Sequence, residues 1–469
     1  MTLVLGIAVI GVAVVAVVRR VEVRLVLLVA AVLLGCLGGH PEAVVQKFFS
    51  GLTSAEFVVP LCSAMGFAYV LRHTECDQHL VHLLVEPLRR AKPLLVPGAV
   101  LVGFLVNIPI ISQTSTAVAI GSVLIPLLVA ARVRPETAGA ALLLGASIGG
   151  ELLNQGAPEF RTIAAETSKL GLPAPTGSQL VQSMLPLDLL HLALATGLFW
   201  FLSLRADARA GTDDGPAQPQ EPSEAFRVNP FKAAVPLLPL VLLFVVSEPF
   251  RLVQVPHEWL VGENEAVSFL AQAARDAKQT AFARAAEEAF NSRLIGAAML
   301  VGAVVAALTG RRQALGAAGA FFEGAGYAVT HIVSLIIVAG CFGEGVKQIG
   351  LTAVVEAFVR TAPALLVPLS AALTLGFGFI SGSGIAATQS LFSIFSRSAQ
   401  TVGMPPETLG LVVALAAAAG RTMSPVAAVV LMCASLTGAS PVALARRVAP
   451  PLLVGIVAVV VVVMLRGVR

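Results

Sequence analysis

The chain has 469 residues, 57% of them hydrophobic and 12% charged, with a mean hydropathy of +0.88. That is too little charge to clothe a soluble domain of this size, and apolar runs of roughly 17 to 20 residues, the width of a bilayer core, recur along the whole length. The composition describes an all-α polytopic membrane protein without the alternation of a membrane barrel, and the net charge of +4 reflects basic loop ends rather than a nucleic-acid surface.

The first apolar run, Met1 to Val18, precedes Arg19-Arg20, the reverse of the order in a secretory signal. It reads as a retained span with its N-terminus outside. Spans are predicted near 2–18, 22–38 and 54–72, followed by an interfacial amphipathic stretch near 77–92 carrying His79, His82, Arg89, Arg90 and Lys92. A hairpin follows over 94–131, with arms near 94–111 and 117–131 and a polar tip, Ser112-Gln113-Thr114-Ser115-Thr116. Arms of about 15 to 18 residues are short for a full crossing of roughly 20, so a re-entrant hairpin is the better fit. A broken helix covers 136–170, interrupted at Gly149-Gly150 and at Asn154-Gln155-Gly156-Ala157-Pro158, and a further span covers 180–204.

Residues 206–230 are rich in Pro, Asp, Glu and Ala and have the composition of a linker, which splits the chain into a first repeat (1–205) and a second (231–469). The second half is predicted to hold spans near 232–248, 294–309 and 325–343, an interfacial stretch near 346–362, a hairpin over 364–400 with arms 364–380 and 385–400, a broken helix over 406–437 and a last span over 448–466. An insertion at 250–292 separates its first two spans, and Ala266 to Phe290 within it is expected to form an extramembrane helix.

The two halves repeat at one offset. Leu94-Leu95-Val96-Pro97 recurs as Leu365-Leu366-Val367-Pro368, and Pro135-Glu136-Thr137-x-Gly139 recurs as Pro406-Glu407-Thr408-x-Gly410, each 271 residues later (94 to 365, 135 to 406). Basic clusters at Arg19-Arg20-Arg24, Arg72 to Lys92, Arg132 and Arg134, Arg205 to Lys232, Arg311-Arg312 and Arg446-Arg447 all fall on the cytoplasmic side of one threading, with the C-terminus outside. Five crossings and one hairpin per half is an odd number of crossings. The second half is therefore predicted to be inverted, with one hairpin entering from the cytoplasm and the other from outside.

Breaks inside a bilayer leave backbone groups unpaired at several kcal/mol each, so they persist where they face protein, water or a ligand. Helix starts at a tip present N–H groups that attract anions, and unwound carbonyls and hydroxyls attract cations. The first tip offers Ser112, Gln113, Thr114, Ser115 and Thr116, and the second offers Ser381, Gly382, Ser383, Gly384 and Thr388. Capping and helix-to-helix hydrogen bonding are the alternative uses of these hydroxyls. After the hairpins, Gly149, Gly150 and Glu151 stand at the offset from Gly420, Arg421 and Thr422. Arg421 is the candidate to pair a substrate carboxylate, and Glu151 the candidate for a coupling proton or cation; alternatively the two pair with each other.

His73, Cys76, His79 and His82 match no standard zinc spacing, and no metal is assigned beyond a sodium ion that the tips could hold. The five cysteines, Cys36, Cys62, Cys76, Cys341 and Cys433, show no paired spacing, so no structural disulfide is expected. No Walker A sequence, nucleophile elbow or HExxH occurs, which argues against an enzyme or an ATP-driven pump and implies no cofactor.

Gly145-Ala146-Ser147-Ile148-Gly149-Gly150, closing at Gly156-Ala157-Pro158, resembles the post-hairpin segment of the ion transporter superfamily. Four further strings resemble the Dcu-C type anaerobic C4-dicarboxylate carriers: Glu75-Cys76-Asp77-Gln78-His79-Leu80-Val81, Gly324-Ala325-Gly326-Tyr327-Ala328-Val329-Thr330-His331, the run from Ser381 to Ser390, and Gly420-Arg421-Thr422-Met423-Ser424-Pro425. The likeness covers nearly the whole chain. It implies a dimeric carrier of the bacterial inner membrane, an elevator motion of a domain built on the two hairpins, and succinate, fumarate, malate or aspartate as cargo by uptake, efflux or exchange. It also brings Asn154 and Ser424 into the candidate substrate site. Dicarboxylate relatives elsewhere in the superfamily carry Ser-Asn-Thr at both tips and use sodium. The tips here depart from that pattern and leave the coupling ion open between sodium and proton. The same fold could instead carry a short-chain fatty acid, a peptide-like acid or an amino acid.

Overall fold

The structure is a computed structural model that describes residues 2–19, 21–90, 94–209, 226–246, 252–261 and 279–467. Lys92, most of the expected linker and residues 250–251 and 262–278 of the insertion lie outside these residues. The described chain is helical, without strands. Its first half holds α1 (Thr2–Val18), α2 (Val23–Leu37), α3 (Pro41–Leu52), α4 (Ala55–His73), α5 (Cys76–Val85), α6 (Leu95–Asn107), α7 (Gln113–Ala130), α8 (Pro135–Ser147), α9 (Pro158–Lys169) and α10 (Gly177–Arg209). Next come α11 (Pro230–Ala234), α12 (Leu238–Val246), α13 (His257–Leu260), α14 (Gln279–Leu308), α15 (Arg311–Ala328) and α16 (Ser334–Gln348). The last six are α17 (Leu351–Thr361), α18 (Leu366–Ser381), α19 (Gly384–Thr401), α20 (Pro406–Met423), α21 (Ala428–Thr437) and α22 (Pro441–Gly467).

Local chemistry explains where the important helices begin. Pro135, Pro158, Pro406 and Pro441 each stand at a helix start, where a missing N–H leaves no bond unmade. Ser112 caps α7 by accepting from the Ser115 N–H (3.3 Å), and Ser383 caps α19 by accepting from the Ala386 N–H (3.2 Å). The helix starts recur at the sequence offset: Leu95 with Leu366, Gln113 with Gly384, Pro135 with Pro406.

Packing follows the same plan in both halves. The arms α6 and α7 lie on α8, and α18 and α19 lie on α20. The helices after the breaks are exchanged: α9 packs on α19 and α20, and α21 packs on α7 and α8. One large core runs through α5–α10 and α18–α22, so both hairpins and both broken helices share a single packed body. Two smaller cores join α1–α4 to α16 and join α4 to α12 and α14. Where lipid replaces water, such cores are held by close packing and interhelical hydrogen bonds more than by exclusion of water.

Seven helical segments among the described residues are long and apolar enough to cross a membrane. They include the arms Gln113–Ala130 and Pro363–Ser381, so arm length alone does not separate a hairpin from a crossing. The structure departs from the sequence expectations in four places. An additional helix, α3, stands between the second and third spans. The span expected at 325–343 is the middle of one run from Arg311 to Gln348, continuous through a π-helical turn at Val329–Val333. The described part of the expected extramembrane helix, from Gln279, continues into the next span as α14. Finally, Gln113 to Thr116 form the first turn of α7 and are not unwound.

Candidate functional site

The start of α7 and the start of α19 face one cavity of about 200 Å³. Ser112, Gln113 and Thr114 line it from the first tip, and Gly382, Ser383 and Gly384 from the second. Arg421, Glu159, Tyr327 and His331 complete its polar wall. In each helix start the cap takes a later N–H (Ser115, Ala386), and the residues before it, whose N–H groups have no intrahelical acceptor, line the cavity.

Arg421 is buried and divided between two tasks. Its Nη2 donates to Glu151 Oε1 (2.7 Å) and to the Ser147 carbonyl (3.1 Å), and its Nε donates to Ser147 Oγ (3.3 Å). Its Nη1 makes no hydrogen bond among the described residues and lies against the second tip, 3.1 Å from where a Cβ on Gly384 would stand. Glu151 and Arg421 therefore do form the ion pair left open by the sequence, yet half of the guanidinium remains turned to the cavity.

The other candidates separate into those at the cavity and those spent on the backbone. Thr116 donates to the Ile110 carbonyl (3.1 Å), which holds the first turn together. Asn154 is used at both ends, donating to the Ile108 carbonyl and accepting from the Gly156 N–H (2.9 Å each). Thr422 hydrogen-bonds Ser147 Oγ (2.7 Å), tying α20 to α8. Ser381 bonds the Ser383 backbone across the second turn. Gly420 lies against the Leu375 carbonyl of α18. Ser115, Thr388 and Ser424 are not on the cavity wall, and the buried hydroxyls of Thr388 and Ser424 have no hydrogen-bond partner among the described residues. Gly149 takes a φ of +138°, a conformation open to glycine, and with Gly150 turns the chain from α8 into the short 3-10 turn that carries Glu151.

Four residues with a part in this geometry were not singled out from the sequence. Asn107 accepts from the Glu151 N–H (3.1 Å), joining the first hairpin to the break. Glu159, at the start of α9, places a buried carboxyl on the cavity wall, and its Oε2 has no hydrogen-bond partner among the described residues. Asp188 of α10 is fully buried, neither of its oxygens has a hydrogen-bond partner among the described residues, and Oδ1 stands beside Gly149. His331 stacks on Tyr327 (4.0 Å between rings) in the π-helical turn. For Glu159 and Asp188 the sequence does carry a signal, an acid in or beside an apolar stretch. The interfacial histidines are used locally: His79 accepts from the Asn229 N–H (3.1 Å), and His82 stacks on Phe226.

Comparison with known proteins gives three findings. The family model for the C4-dicarboxylate anaerobic carriers matches residues 56–467. The probable anaerobic C4-dicarboxylate transporter DcuC of Vibrio cholerae is 25% identical over 407 residues, 84% of this chain and 79% of that one; an uncharacterized transporter of Haemophilus influenzae is 42% identical over 122 residues, 26% of this chain and 84% of that one. Among solved structures, the Alcanivorax borkumensis YdaH transporter, described as having an unusual topology, is similar in fold with a TM-score of 0.51 at 16% identity, over 90% of this chain and 86% of that one.

Proposed function

Because the chain belongs to the family of C4-dicarboxylate anaerobic carriers, we propose that it is a secondary active transporter of succinate, fumarate, malate or aspartate, with the two-tip cavity as its substrate site. Membership of a transporter family makes it a multi-pass membrane carrier and not an enzyme. The observation that carries the reading is Arg421 Nη1, which lies against the N-terminus of α19 on the cavity that the start of α7 also lines. One carboxylate of the substrate takes that N–H edge, and the other takes the open backbone donors of a tip. Ser112 and Ser383 hold those donors in place as caps.

The proposal extends to the machine. The repeated helix starts and the exchange of α9 and α21 between hairpins support two repeats related by inversion, each with a re-entrant hairpin. The shared core of both hairpins supports their moving as one body against α1–α4 and α14–α16, an elevator, in a dimer in the bacterial inner membrane with both termini outside. The coupling ion is a proton or sodium ion held near Gly149, Gly150 and Glu151, where Glu151 pairs with Arg421 and two further buried carboxyls, Glu159 and Asp188, belong to the same region. An unmatched buried charge is costly, so a site of this composition favours a proton or cation.

The test is uptake of labelled succinate into proteoliposomes under imposed sodium and proton gradients, with unlabelled acids as competitors. Accumulation or exchange blocked by fumarate, malate or aspartate is the expected result. Competition by fatty acids, peptide-like acids or amino acids alone would move the cargo to that class.

A further inference from the structure

A second and larger cavity, of about 550 Å³, lies among α3, α9, α16, α17 and α19. Three of those helices also line the tip cavity. Helix α9 gives Glu159 to the tip cavity, then Thr162, Glu166 and Lys169 to the larger one. Helix α19 gives Gly384 and Ile385 to the first, then Gln389, Ser393 and Arg397 to the second. The run of α15 and α16 gives His331 and Ile332 to the first, then Ile336, Gly340 and Lys347 to the second. The cavities are thus stacked along three shared helices. At a rise of about 1.5 Å per residue, Gly384 and Arg397 are separated by about 20 Å along α19. Between them Gln389 Nε2 donates to Thr162 Oγ1, a bond between two buried residues on the wall of the larger cavity that ties α19 to α9.

The larger cavity is charged. It holds four cations and three carboxylates. Lys169 pairs with Glu166, Lys347 with Glu344 (3.3 Å) and Arg397 with Glu356 (3.6 Å). Lys47, from α3, has no carboxylate within ion-pair distance among the described residues, and it faces Lys169 across the cavity. Burial and the Lys169 ammonium push the Lys47 amine below the ordinary lysine range, against the weaker opposing pull of Glu166 and Glu344, neither of which reaches ion-pair distance.

We propose that this cavity is a first binding station for the dianionic substrate, with Lys47 as its unmatched cation, from which the substrate passes to the tip cavity when the Thr162–Gln389 hydrogen bond opens. The station rests on the carrier reading above. Its chemistry is that of a small dicarboxylate: one carboxylate on Lys47, the other reached by the neighbouring Lys169. As the residue that recruits substrate rather than holding it at the central site, Lys47 governs apparent affinity and leaves the turnover of bound substrate nearly unchanged.

The experiment compares wild type, Lys47→Gln and Lys47→Arg in proteoliposomes, with KM and maximal rate for labelled succinate measured at low and high salt. The expected result for Lys47→Gln is a KM raised about fivefold at low salt, with the maximal rate within about twofold of wild type and a flattened dependence on salt. Lys47→Arg, which keeps the charge, is expected to return KM close to wild type. A wild-type KM in Lys47→Gln, or a Lys47→Arg as impaired as Lys47→Gln, overturns the station while leaving the carrier intact. A wild type that moves no C4-dicarboxylate overturns the carrier reading, and the station with it.

Discussion

Arg421 and Glu151 are 2.7 Å apart and almost wholly buried. Removing one partner strands the other charge at a cost of about 3–5 kcal/mol, so a single Arg421→Ala change confounds loss of function with loss of fold. The informative variant neutralises both. The double substitution Glu151→Gln with Arg421→Gln is expected to keep a wild-type melting temperature within a few degrees while abolishing succinate transport. Arg421→Gln alone is expected to melt lower. Transport surviving in the double variant would reduce the pair to a structural bond. Both residues were legible in the sequence because an ionisable side chain in an apolar stretch is conspicuous. Asn107 was not, since its role depends on an N–H 44 residues away, and nothing in the sequence shows that both ends of the Asn154 amide go to backbone groups.

Helices were legible wherever punctuation marks them. Ser112, Ser383 and the prolines at helix starts announce α7, α19, α8 and α20. The join of α15 to α16 escaped because a π-helical turn needs no proline or glycine. Contact between elements adds a further constraint at Gly420. A Cβ there would collide with the Leu375 carbonyl oxygen, so α20 meets α18 backbone to backbone. Gly420→Ala is expected to force these helices apart and destabilise the protein by about 1–3 kcal/mol, read as a lower melting temperature in detergent. An unchanged melting temperature would mean that α18 yields freely.

At the scale of the whole molecule, an elevator requires the hairpin body to slide past α16. Gly343 of α16 and Ser393 of α19 are neighbours: a Cβ on Gly343 would stand 3.7 Å from the Ser393 Cβ, close to the separation of about 3.8 Å in a disulfide. In a background with the five native cysteines replaced, Gly343→Cys with Ser393→Cys is expected to cross-link on oxidation, stop transport and recover under reductant. Full transport by the cross-linked protein would remove sliding between α16 and α19 from the mechanism.

By itself the sequence determined the class of molecule, the repeat and where the principal helices begin, because hydropathy, proline and capping chemistry act within a few residues of where they are read. Only the tertiary structure decided which polar residues share a cavity and which are consumed by the backbone. The Arg421–Glu151 bond joins residues 270 apart, and the hydrogen bond between Gln389 and Thr162 joins residues 227 apart. A side chain's partner is set by how distant helices pack, and no local pattern carries that information.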